Sequence, residues 1–337
     1  MDIRPLDPAD QAAAEGCYQM SCLADAVDIP DLPVRCRQAY FAGLGHPWPG
    51  EDSETLVAWV DGHVVANVEI ELPVVDNRDN ARIALRVRPD YRRRGIGTAL
   101  LERATELARS RGRRRIMGDT IESIAGGAPR DPAGHAFAER TGAAELGTEV
   151  RRRLALAGVD PVVHAELLTE AWRHAEGYRL ISWHGSIPEE HLARAAYLDS
   201  RLLLDAPLGD LEWEPEQIDA TRLRAIEQAI KARGRRPYNT GAMHEATGEL
   251  VAFTAISMDA SWPDHAWQQI TIVDPEHRGH RLGLIIKLAN LARARREEPE
   301  LAVVDTWNSV GNDRMIAINE AMGFRPVDGT ANWQLAI

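Results

Sequence analysis

Apolar and polar residues alternate along residues 64–72, with Val64, Ala66, Val68, Ile70 and Leu72 on one side and Val65, Asn67, Glu69 and Glu71 on the other. A period of two is the mark of a half-buried strand. Residues 56–60 form a shorter run before it, and Asp61-Gly62 between the two predicts a hairpin turn. Ile83, Leu85 and Val87 then alternate with Ala84, Arg86 and Arg88 as a further strand. After residue 97 the period changes. Leu100, Leu101, Ala104, Leu107 and Ala108 recur at helical spacing until Gly112 ends the run.

Around this strand, glycine turn and helix, the same patterning predicts a strand at 3–6 and helices at 11–26 and 34–43. A short strand at 115–117, a helix at 134–141 and a strand at 149–156 follow. Residues 157–161 read as a linker, and 162–175 as a helix that leads into the second half. There, strands are expected at 178–183, 268–273, 301–307 and 331–337, with a hairpin about Thr247-Gly248. Helices are expected at 189–204, 220–233 and 315–322.

The turn between residues 87 and 98 holds the first candidate chemistry. Arg92, Arg93 and Arg94 precede Gly95, Ile96, Gly97 and Thr98 at the start of a helix. A helix N-terminus leaves backbone N–H groups unpaired and favours negative charge. Glycines there let a diphosphate approach the backbone, and arginines add charge-assisted hydrogen bonds. A Walker loop would need Gly-Lys-Ser/Thr, and a dinucleotide fingerprint would need three glycines with a later acidic residue; the turn has neither ending.

The chain then repeats its punctuation. Pro275-Glu276-His277-Arg278-Gly279-His280-Arg281-Leu282-Gly283 keeps the proline-to-glycine spacing of Pro89 to Gly97. A strand-like run, Ile270 to Val273, precedes it and a helical run, Ile285 to Leu291, follows. Gly142-Ala143 and Gly323-Phe324 close the two halves at similar offsets, and self-similarity of this kind indicates duplication.

The order Arg-x-x-Gly-x-Gly behind Val-x-Pro resembles the diphosphate loop of the GNAT superfamily of acetyl-CoA-dependent N-acetyltransferases. The duplication makes the whole chain similar to tandem GNAT proteins, the architecture also found in mycothiol synthase. The resemblance implies two tandem α/β (α+β) domains, residues 1–158 and 176–337, each a mixed, mostly antiparallel sheet flanked by helices. It also implies acetyl-CoA as cosubstrate and transfer of an acetyl group to a primary amine of a small molecule. Secondary metabolism or resistance is the context this suggests. Leu85, Val87, Arg92, Arg93, Arg94, Gly95, Ile96, Gly97 and Thr98 are the expected cofactor-binding residues. In the second half Arg281 stands at the position of Gly95, so the first loop is the better CoA candidate. Arg278, Gly279, His280, Gly283 and Asn312 outline a possible second site.

Many GNAT enzymes carry, after the strand that follows the central helix, an Asn-x-x-Ala sequence and then a tyrosine that protonates the departing thiolate. Here the aligned positions hold Asp131 and Ala138 in the first half, Asn312 and Asn319 in the second. Neither half keeps the tyrosine, so the general acid is left to solvent. Glu69 and Glu71 share a strand face beside the central strand and are the expected catalytic base and substrate carboxylate. Asp76 and the Asp259, Asp264, His265 loop are the alternatives. Transfer in the second half, with CoA structural in the first, and a non-catalytic acetyl-CoA binder remain as other readings.

Composition narrows the classes. The 337 residues suit two domains of ordinary size, and 45% hydrophobic with 27% charged residues is globular. A net charge of −12 gives no basic footprint for nucleic acid. No apolar run approaches the roughly 20 residues of a membrane span, and Met1 to Pro5 lacks the form of a signal peptide, so a cytoplasmic monomer or homodimer is expected. Cys17, Cys22 and Cys36 offer neither a disulfide framework nor a zinc site, and no metal is expected.

Overall fold

The computed structural model describes residues 1–205 and 212–337. They fall into two compact units, and neither is a continuous piece of chain. The first holds residues 1–149, 212–214 and Asp328–Ile337; the second holds 150–205 and Pro215–Val327.

In chain order the first unit contains β1 (Asp2–Pro5), α1 (Gln11–Asp28), α2 (Arg37–Gly45), β2 (Glu51–Val60), β3 (His63–Pro73), β4 (Asn80–Val87), α3 (Ile96–Ser110), β5 (Arg115–Glu122) and α4 (Ala133–Thr141). β6 (Ala144–Ala155) passes from the first unit into the second. The second continues with α5 (Pro161–Trp172), β7 (Tyr178–His184), α6 (Glu189–Ser200), α7 (Leu202–Asp205), α8 (Ala220–Ala232), β8 (Arg235–His244), β9 (Glu249–Asp259), β10 (His265–Val273), α9 (Leu282–Glu297), β11 (Val303–Ser309) and α10 (Asp313–Met322). β12 (Arg325–Ala336) carries the chain back into the first.

The first unit's sheet runs β1-β2-β3-β4-β5-β12. Its pairs are antiparallel except β4 with β5, which is parallel. The second unit repeats the order as β6-β11-β10-β9-β8-β7, with β10 and β11 its parallel pair. Mixed, mostly antiparallel sheets are therefore present in both. The contiguous division at 1–158 and 176–337 needs correction at its ends. Residues 328–337 pair with β5 from Gly329↔Glu122 to Ala336↔Arg115, which places them in the first unit, while 150–175 belong to the second.

Alternation along β3 decides which helix covers which face. Val68, Ile70 and Leu72 are buried with Leu100, Leu101, Ala104 and Ala108 of α3. A fully buried side chain of this size contributes about 1.5–3 kcal/mol, so this face is the unit's main core. On the other face Cys17 and Met20 of α1 pack with Val57 and Val64. The Asn67 amide reaches the Ser21 hydroxyl of α1 across 3.5 Å. Glu69 and Glu71 follow Asn67 on that face, two and four residues on. Asp61 and Gly62 both take positive φ, 49° and 79°, as a two-residue hairpin demands. Cys17 is buried, and burial pushes its thiol up to about 12. Among the described residues no helix is long and apolar enough to cross a membrane.

Candidate active site

The site begins where β4 and β5 part. Their parallel pairing is confined to Asn80↔Arg115, Ala81↔Ile116 and Arg82↔Met117. β4 stays paired with β3 on its other edge as far as Ala66↔Val87. From Ile83 to Val87 one edge of β4 therefore offers backbone N–H and C=O groups to an external partner. Between the diverging strands lies a cleft of about 590 Å³.

Of the expected cofactor residues, Leu85, Val87, Arg92 and Arg93 line this cleft, as do Gly95, Ile96, Gly97 and Thr98. Arg94 does not. Its guanidinium donates to the Asp90 carbonyl at 2.8 Å and stacks over Tyr91.

The loop geometry follows from two left-handed residues, Arg93 at φ 63° and Gly95 at φ 81°. Gly95 is the N-cap of α3, and no side chain caps the helix, so its first-turn N–H groups keep their capacity for an anion. Arg92 lines the cleft and is also engaged by the protein itself. Its Nε donates to the Val87 carbonyl at 3.1 Å, and its terminal nitrogens grip Asp28 of α1 at 2.8 and 2.9 Å. Asp131 lies 3.4 Å away on the other side. Arg92 thus ties the loop to two neighbouring elements.

The second loop keeps the geometry and exchanges the residues. Gly279 and Arg281 are left-handed at φ 91° and 55°, so glycine and arginine have traded the positions of Arg93 and Gly95. Arg278 repeats the Arg92 contact, with Nε donating to the Val273 carbonyl at 3.3 Å. The loop is also held by its own chain. His280 Nδ1 meets the His174 carbonyl at 3.0 Å, and the Tyr178 hydroxyl meets His277 Nδ1 at 2.9 Å. A Cβ on Gly283 would lie 3.3 Å from Ile318, so this glycine answers close helix packing. Asn312 caps α10 through the Met315 N–H at 3.3 Å. At the two tyrosine positions, Ala138 lines the first cleft, while Asn319 is buried and donates to Asn308 at 2.6 Å.

On the α1 face of β3 and β4, acids and arginines interleave. Glu69 lies 3.7 Å from Arg86, and Glu71 lies 3.4 Å from Arg82. Arg86 also donates to Asp25 at 3.1 Å, and Asp25 accepts from Arg35. Burial works against the Arg86 charge, but Glu69 and Asp25 outweigh it and hold its pKa above the ordinary value. Glu69 and Glu71 themselves are not among the residues lining the cleft.

Asp119, which the sequence pattern did not single out, does line it. It is open to the cleft, yet protein surrounds it on most sides, and this burial raises its pKa against the pull of Arg86 and Arg82. The strand at 115–117 was read too short to include it. The signal available was the alternation of Met117, Asp119 and Ile121 with Gly118 and Thr120.

Comparison with known proteins agrees with this geometry. The family model described as acetyltransferase (GNAT) family matches residues 15–126. A tandem GNAT protein from the clavulanic acid biosynthesis pathway, solved without AcCoA, is 32% identical over 99% of this chain and 98% of its own, with a TM-score of 0.84. A GCN5-related N-acetyltransferase from Sphaerobacter thermophilus shares the fold at 14% identity, covering 99% of this chain and 95% of its own, with a TM-score of 0.67. No curated protein matches the sequence. On the splayed strands, the glycine loop and this full-length likeness, the chain belongs to the GNAT acetyltransferase family in its tandem form.

Proposed function

We propose that the protein transfers an acetyl group from acetyl-CoA to a primary amine of a small molecule, with the donor held in the cleft of the first unit. The observation that carries this is the free edge of β4 leading from the uncapped N-terminus of α3 into the cleft. The diphosphate sits on the first-turn N–H groups of α3. The pantetheine arm pairs with the strand edge, which spans about 13 Å from Val87 to Ile83. An N–H on that edge then polarises the thioester carbonyl and stabilises the oxyanion of the tetrahedral adduct. A thiolate of pKa about 8.5 leaves without a tyrosine to protonate it. The relative from clavulanic acid biosynthesis, 32% identical, supports a secondary metabolite as the amine. Glu69 and Glu71 serve in this reading as carboxylates that draw a cationic substrate to the α1 face.

Calorimetric titration should find one tight acetyl-CoA site per chain, because the second loop carries Arg281 in place of glycine and is held by His174 and Tyr178. Two equivalent sites would overturn the placement. CoA release with a panel of primary amines, with mass detection of an added acetyl group, tests the reaction itself.

One observation favours transfer in the second unit instead. Pairing of β9 with β10 slips between Gln268 and Thr271, a bulge beside the second splay, whereas β3 and β4 pair without a break. A bulge turns N–H groups out of the ladder, where they can face an oxyanion. Turnover that survives loss of donor binding in the first cleft would move the chemistry there.

A further inference from the structure

Four carboxylates line the first cleft: Asp25, Asp28, Asp119 and Asp131. Three are held by arginine. Asp25 accepts from Arg35 and Arg86, Asp28 from Arg92 at 2.8 Å, and Asp131 faces Arg92 at 3.4 Å. Asp119 alone among them has no hydrogen bond or ion pair within the described residues. Glu69 and Glu71, the carboxylates expected from sequence, also face arginines and stand outside the cleft wall.

Position points the same way. The last β4–β5 pair, Arg82↔Met117, is the closed end of the cleft, and Asp119 lies two residues beyond it on β5. An arm that enters at Gly95 and follows β4 past Leu85 brings its acyl end to this part of the wall. On β5, Ile116 packs into the α3 core and Gly118 faces Ile83, so Met117 and Asp119 project to the opposite face, that of α1. A nucleophile that reaches the thioester from the face opposite α3 meets Asp119 first.

We propose that Asp119 is the base that takes the proton from the substrate ammonium, an assignment that rests on acetyl transfer in the first unit. The ammonium gives one proton to an Asp119 Oδ, which frees the nitrogen lone pair. That pair forms the C–N bond at the thioester carbon, and the carbonyl electrons move to oxygen. When the adduct collapses the C–S bond breaks, CoA leaves as thiolate, and the second nitrogen proton passes to the thiolate or to solvent. Asp119 returns its own proton to solvent, so the cycle needs no further reactant.

The surroundings suit the task. Arg82 and Arg86 of β4 face Asp119, but Glu71 and Glu69 of β3 already oppose them. From α1 come Asp25, paired with Arg86, and Asp28, paired with Arg92; Asp131 precedes α4. Burial keeps the Asp119 pKa above the ordinary carboxylate value. Filling the cleft with donor removes more water and acts in the same direction, toward the working pH of a base.

The test compares Asp119→Asn, Asp119→Glu and Glu69→Gln with the wild type on an amine that the panel shows to be acetylated. Asparagine is isosteric and removes an unpaired charge, so the fold and acetyl-CoA titration should persist. Turnover should fall about a hundred- to ten-thousand-fold. The base works only when ionised, so wild-type kcat/KM should drop as pH falls through its pKa. That acid limb should vanish in Asp119→Asn and return, displaced, in Asp119→Glu. Wild-type rate and acid limb in Asp119→Asn would overturn the assignment alone, as would loss of both in Glu69→Gln with Asp119→Asn intact. If the wild type binds acetyl-CoA yet acetylates no amine, the catalytic reading of this unit falls and takes Asp119 with it.

Discussion

Gly95→Asp is expected to abolish acetyl-CoA binding in a chain that still folds. At φ 81° the residue is in the left-handed region, where a Cβ costs about 1–2 kcal/mol. No atom lies within 4 Å of the Cβ position, so strain is confined to the backbone. An aspartate at an N-cap recovers part of that cost, because its carboxylate accepts from the N–H groups of the first helical turn. Those are the donors the diphosphate needs. The variant therefore fills the anion site with its own carboxylate and sets a negative charge against the ligand. A loss of about 2.7 kcal/mol or more, a hundredfold in affinity, is the expected result. Gly95→Ala adds the strain without the charge and should lose only about tenfold. Calorimetric titration beside a thermal melt checks both. Wild-type affinity in folded Gly95→Asp would show that the loop does not hold the donor, and surviving turnover would favour the second unit.

Local structure was largely legible in the sequence because periodicity is local. The strand faces of β4 and of β3 from Ala66 onward, the Asp61-Gly62 turn, the glycine loop and the helix that follows it occur where the pattern puts them, whereas a bulge at the start of β3 exchanges the faces of Val64 and Val65. The duplicated loop was legible too, and the structure adds that Gly279 and Arg281 keep both left-handed positions with their residues exchanged. What escaped the sequence is non-local. Nothing in residues 328–337 announces β5 as their partner, since an alternating strand accepts any neighbour of suitable register. The bond of Arg92 to Asp28 was not readable because the two lie 64 residues apart in sequence. Asn312 sits where the family pattern places an asparagine, yet its side chain caps a helix. Asp119 went unnoticed because a base is recognised by what is missing around it, and sequence shows neither partners nor their absence. The same limit applies to Glu69 and Glu71, whose shared face was readable and whose arginines across β4 were not.

Asp305→Asn is expected to destabilise the second unit by about 3–5 kcal/mol, the usual cost of breaking a buried ion pair by removing one partner. Asp305 is fully buried at the last β10–β11 pair, Trp267↔Asp305. Arg153 grips it with Nε at 2.8 Å and a terminal nitrogen at 2.7 Å, and buried Arg151 reaches it at 3.1 Å. His265 Nε2 is 3.2 Å away without an aligned hydrogen bond. Burial acts to raise the Asp305 pKa, but the contacts from Arg153, His265 and Arg151 outweigh it and hold the value at about 2. An unfolded aspartate titrates near 3.9. The folded pKa is therefore the lower one, so this stability is complete above about pH 4 and lost as pH falls toward 2. Wild type should show acid destabilisation in that window. Asp305→Asn should lack that component and start from lower stability at neutral pH, because asparagine takes away the carboxylate charge that Arg151 and Arg153 share. Denaturation followed by tryptophan emission reports on this unit through Trp172, Trp183, Trp262, Trp267 and Trp307. Acetyl-CoA titration of the first cleft, whose lining residues all belong to the other unit, should be unchanged. A variant that unfolds at the wild-type denaturant concentration would mean that Arg151 and Arg153 need no carboxylate between them.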